Sequence, residues 1–158
     1  MHPRAEAFAE RAREEYGFEP DVSEFPEGTK TAADAAEAIG CDVAQIASSL
    51  VFDVDGSLGV SVTSGTHRVS EAALGADFGV SADAVSMADA DRVKETLGWT
   101  IGGVPPFCHD VSVPVVIDET LLEFDIVWAA AGTPKAVFPI EPGKLSEYAG
   151  AEPAVVTE

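Results

Sequence analysis

At 158 residues with 46% hydrophobic content, the chain can bury one substantial core, which excludes a disordered acidic tail. Nine Lys plus Arg stand against 28 Asp plus Glu, a formal charge of −19, so at ordinary ionic strength the surface repels itself and any nucleic acid. Both repulsions fade at molar salt, where the Debye length is about 3 Å, so the composition is that expected in a salt-rich, halophilic cytoplasm.

The N-terminal stretch MHPRAEAFAERAREEYGF is charged and helical in pattern, with no secretory h-region. No apolar run approaches the roughly 20 residues of a membrane span, so a cytoplasmic protein without a membrane partner is expected. Cys41 and Cys108 form neither a disulfide framework nor a C-x-x-C metal site.

In chain order, Phe8, Ala12 and Tyr16 share one stripe of a helix over 3–16, closed by Gly17. Residues 21–29 form a connector with an apolar hook at Phe25. Thr31 is the expected N-cap of a second helix stopped at Gly40, and Asp42 with Gln45 opens a short helix leading into IASSLVF. LVFDV and SLGVSV flank Asp55-Gly56, the pair that favours a type I′ hairpin. A helix begins at Ser70, AVSMA is a short strand, and a further helix runs from Asp89 to Gly98. VSVPVVID is a strand whose internal Pro114 implies an edge or a bulge. ETLLEFD is a helical turn. IVWAAAG and KAVFPI are strands separated by Gly132-Thr133-Pro134. A last helix has Pro142 at its first position and Gly150 at its end, and AVV adds a final short strand. Irregular interleaving of helices with a hairpin points to an α+β fold: a mixed, strongly curved, barrel-like β-sheet with helices packed on the outside, in a single domain over 1–158.

Ordinary catalysts are missing. His2, His67 and His109 show no ligand spacing, so no metal is expected, and no serine sits in G-x-S-x-G. Cys108 and His109 are adjacent, and on an extended backbone they would face opposite ways. DVDG at 53–56 lacks the glutamate that would complete a calcium loop. The segment WTIGGVPPFCH, residues 99–109, is different: two glycines, two prolines and four large apolar residues within eleven positions. The N–H groups of Gly102, Gly103 and Val104 could converge on a carbonyl oxygen between apolar walls from Ile101, Val104 and Phe107. A plain structural turn between a helix and a strand explains the same composition.

Four stretches in register resemble the YbaK family of aminoacyl-tRNA-associated editing domains, which includes the editing domain of prolyl-tRNA synthetase. They are TAADAAEAIGCDVAQIASSLVFDVDG, VSVTSGTHRVS, GWTIGGVPPFCH and IVWAAAGTPKAVFPIEPGKL, and the likeness covers about residues 25–157. The resemblance implies a deacylase that acts in trans on the ester of a mischarged tRNA, such as alanine or cysteine on a proline tRNA. It implies no cofactor, the tRNA acceptor end as partner, and a terminal ribose hydroxyl that helps activate water. In an acidic chain at high salt that binding would depend only weakly on phosphate electrostatics. Monomer and homodimer both stay open. By the same likeness, Gly102 and Gly103 border the scissile ester, and Pro105, Pro106 and Phe107 form the pocket wall. Gly132 and Thr133 face it from the next turn. Ser64, His67 and Arg68 lie near the terminal nucleotide, and Thr31 and His109 flank the substrate. One departure matters: Ser48 stands where active members of the family carry a lysine. A serine offers a neutral hydrogen bond and no charge. Ser48 is then either a substitute catalytic donor, with Lys30 or Arg68 supplying charge, or the mark of a relative that binds an amino acid, an aminoacyl-adenosine or tRNA without cleaving it.

Overall fold

The computed structural model describes residues 1–25 and 31–158; Lys30 and residues 26–29 of the expected 21–29 connector lie outside them. Helix α1 (Pro3–Tyr16) ends at Gly17, whose φ of 65° closes the last turn. It buries Ala5, Phe8 and Ala12 completely. Helices α2 (Ala32–Ile39), α3 (Glu71–Phe78) and α4 (Ala90–Leu97) start at Thr31, Ser70 and Asp89, each accepting a main-chain N–H from three residues on. Helix α5 (Pro142–Ala149) has the expected proline at its start.

The strands among the described residues are β1 (Ser23–Glu24), β2 (Ile46–Val54), β3 (Ser57–Ser64), β4 (Val85–Met87), β5 (Val115–Asp118), β6 (Val127–Ala130), β7 (Ala136–Ile140) and β8 (Glu152–Ala154). They form one mixed sheet in the order β1-β7-β6-β2-β3-β5-β8, with β4 attached to β2. The path has two free ends, so the sheet curls without closing. Asp55 (φ 51°) and Gly56 (φ 90°) make the hairpin between β2 and β3, with both residues left-handed as a type I′ turn requires.

Three details differ from expectation. Strand β5 begins after Pro114 and lies inside the sheet, between β3 and β8, so it is no edge; the proline keeps its carbonyl in use, accepting the Val60 N–H at 2.9 Å. Residues 43–45 form a single 3₁₀ turn, and the chain is extended from Ile46, earlier than the hairpin motif alone indicates. The last strand is Glu152–Ala154, two residues ahead of AVV.

The main core lies between one face of the sheet and α1. Its centre is aromatic: Phe8, Phe107 and Phe138 meet with ring centroids 4.9–5.9 Å apart, and Tyr16, Phe18 and Tyr148 surround them. A second cluster, with Phe52, Leu74 and Val116, fills the other face under α3. A third, small one joins α2 to Ile46 and Trp128.

Candidate functional site

The site originates in an interruption of the sheet. One edge of β2 runs along β3 for its whole length. The other is divided: Ile46 and Ala47 pair in parallel with β6, whereas Phe52, Asp53 and Val54 pair antiparallel with β4. Between these two partners, Ser48 to Val51 have no neighbouring strand on that side among the described residues. A cavity of about 250 Å³ opens there, lined by Ser48, Ser49, Trp128 and Thr31 with Ile101 and Gly102 from the glycine–proline loop. That is slightly below the range of drug-sized pockets, so it suits a small group. Met87 and Ile101, 58% and 44% exposed, make an apolar lip.

The loop is held rigidly. The Trp99 indole N–H donates to the Cys108 carbonyl at 2.8 Å, and the His109 Nε2–H donates to the Pro105 carbonyl at 2.8 Å. The Arg4 guanidinium lies 4.3 Å above the Trp99 ring and donates to the Gly98 carbonyl. Gly103 presses against the turn after β6: a Cβ there would sit 2.6 Å from Thr133 Cα. Gly132 (φ 93°) is equally confined, by the Arg4 carbonyl and the Trp99 ring. These two glycines are needed for close approach.

Of the residues named from sequence, Thr31, Ser48 and Gly102 meet at this cavity. Gly103, Pro105, Pro106 and Phe107 are buried behind Gly102, with Phe107 in the aromatic centre and the Gly103 N–H donating to the Thr100 carbonyl at 2.9 Å. Gly132 and Thr133 support the loop from below. His109 faces a second hollow with Glu15 and Tyr16. Ser64 and His67 gather around Asp118, which accepts the Ser64 N–H at 3.1 Å and bonds His67 Nδ1 at 2.7 Å, while Arg68 is exposed beside them. Burial alone would raise the Asp118 pKa, but the hydrogen bonds from His67, Thr120 and Ser64 outweigh it and hold the carboxyl below its ordinary value. Cys108 is no nucleophile: burial, reinforced by Glu15, pushes its thiol up to about 12. Burial likewise lowers the His109 pKa and keeps the imidazole neutral.

Ser49, Met87 and Trp128 join the site without having been signalled by any motif. The Ser49 Oγ is buried with no hydrogen-bond partner among the described residues. An unsatisfied hydroxyl of this kind costs roughly 1–3 kcal/mol. None of the described residues lining the cavity carries a charged or titratable side chain.

Residues 26–148 match the family model for the aminoacyl-tRNA editing domain. The chain belongs to that family. This editing domain is 33% identical over 137 residues to the uncharacterized protein YwhH of Bacillus subtilis, covering 85% of the chain and 84% of that relative. It is 32% identical over 92 residues to the proline–tRNA ligase of Lysinibacillus sphaericus; the match takes in 58% of the chain and 16% of the ligase. The solved structure of a proposed trans-editing enzyme for prolyl tRNA synthetase superposes with a TM-score of 0.91 at 36% identity, over 100% of this chain and 99% of the other. Membership of the family implies an aminoacyl-tRNA as the ligand of the editing domain.

Proposed function

We propose that this editing domain acts in trans as a deacylase, hydrolysing the ester of a small amino acid such as alanine or cysteine mischarged on a proline tRNA. The observation that carries the reading is the neutral cavity at the divided edge of β2, with Ser48 and Gly102 on its wall. A chamber of this size admits a small side chain and rejects larger ones, the logic of an editing sieve. Within it the attacking group is water, because the described lining offers only serine and threonine hydroxyls with no general base among them to activate one. The substrate's own ribose hydroxyl is the group at hand to orient that water. Charge developing on the ester oxygen is met by main-chain N–H donors and the Ser48 hydroxyl, about 3 kcal/mol for one well-placed donor. Arg11, Arg13 and Arg92 are held by Asp110, Glu19 and Asp53. With nine cations in all against 28 acidic residues, a shallow salt dependence is expected.

Deacylation of a panel of mischarged tRNAs in molar potassium chloride tests this. Release of alanine or cysteine from proline tRNA is expected; no hydrolysis by folded protein refutes it. The neutrality of the wall, with Ser48 in the lysine position, favours one second reading: a protein that binds the aminoacyl end without cleaving it. Thermal protection by a ligand without product would establish that instead.

A further inference from the structure

The main chain of β2 alternates in the direction of its polar groups. The Ile46 carbonyl accepts the Gly65 N–H at 2.9 Å, on the β3 side, whereas the Val51 carbonyl accepts the Ala88 N–H at 3.1 Å, on the β4 side. Ser49 is two residues from Val51, so its N–H and C=O also point away from β3. They point into the interval that the β6 pairing leaves after Ala47 and the β4 pairing leaves before Phe52. Neither group has a strand partner there among the described residues, and the Ser49 Oγ is itself buried without a hydrogen-bond partner among them. A main-chain donor and a main-chain acceptor left without a strand partner on one residue form an incomplete β-bridge.

We infer that the aminoacyl group completes this bridge. An aminoacyl ester carries an α-ammonium and a carbonyl on one Cα, the same pair that one strand residue presents to its opposite number. The α-ammonium donates to the Ser49 carbonyl, and the ester carbonyl accepts the Ser49 N–H. The proposal rests on the editing reading of the cavity and adds the recognition element: a free α-amino group, read by main chain, whatever the side chain. The sieve then acts on side-chain size alone. An N-acylated aminoacyl ester or a hydroxyacyl ester would be refused.

Binding decides this independently of catalysis. The probes are 3′-amino-3′-deoxyadenosine carrying alanine in amide linkage, which cannot be hydrolysed as an ester, and its N-acetylalanyl and lactyl counterparts, titrated calorimetrically into the full chain in molar potassium chloride. The alanyl probe is expected to bind about tenfold to a hundredfold tighter than either counterpart, the span of one or two hydrogen bonds to a charged group. Ser49→Ala, which keeps the same main-chain pair, is expected to preserve this order of affinities. Equal binding of all three probes, or no binding of the alanyl probe, overturns the bridge. Loss of the alanyl preference in a folded Ser49→Ala variant would likewise overturn a bridge read by main chain. If the alanyl probe binds selectively and no mischarged tRNA is hydrolysed, the deacylase reading fails while the bridge stands.

Discussion

Substituting Gly103 by alanine tests how the glycine–proline loop is built. The new Cβ would lie 2.6, 2.7 and 2.8 Å from the Cα, C and N of Thr133. Comfortable carbon contacts begin at about 3.5 Å, so loop or turn must retreat by roughly 1 Å. Both are backbone, Thr133 is only 5% exposed, and the adjoining Gly132 is itself wedged against Trp99, so neither has a free direction to move. Overpacking of this sort costs about 1–3 kcal/mol, and the backbone contact places Gly103→Ala near the upper end. For a chain of this length each kcal/mol lowers Tm by about 2–4 °C, so a drop of about 6–12 °C is expected. Gly102→Ala is the control. Its φ of 90° brings strain of about 1–2 kcal/mol, but its Cβ would only touch Pro134 Cγ at 3.4 Å, an ordinary contact. Thermal unfolding followed by circular dichroism at fixed molar salt reads both. A Tm for Gly103→Ala within 2 °C of the parent would show that the loop is not locked on the Thr133 turn.

Ser48→Lys is expected to raise the rate of deacylation at low salt and to lose that gain in molar potassium chloride, where the added charge is screened; a gain independent of salt would refute this. Asp118, with its pKa depressed in the folded state, contributes stability that is present above the unfolded carboxyl's pKa and lost as pH falls through the folded value. Removing its partner by His67→Ala should therefore move acid unfolding to higher pH, measured by circular dichroism against the parent. With its thiol pushed up to about 12 and its side chain buried, Cys108 should resist iodoacetamide at pH 8 until denaturant is added, while half-buried Cys41 reacts first; mass spectrometry of the labelled peptides checks the order.

Local chemistry announced much of the fold. Thr31, Ser70 and Asp89 cap helices, Gly40, Gly79 and Gly98 end them in left-handed geometry, and Asp55-Gly56 makes its turn, because each acts within a few residues. Strand β1 was illegible: its two residues are extended because Val137 and Ala136 pair with them, a partner more than a hundred positions away. The start of β2 was obscured by a capping pattern that produces only one 3₁₀ turn before the ladder with β3 takes over. At the site, Ser48 and Gly102 could be named through the family likeness. Ser49 could not, because its place beside a cavity depends on where β6 stops and β4 starts along the same edge.

That interval has a consequence for how such a chamber can be resized. Its width is set by strand length, not by the bulk of any one side chain. One more rung on the Ala129 side or one earlier rung on the Met87 side would narrow the opening by a residue, leaving the packed aromatic centre untouched. Insertions or deletions at the ends of these two short strands could therefore tune which acyl groups enter without disturbing the rest of the molecule.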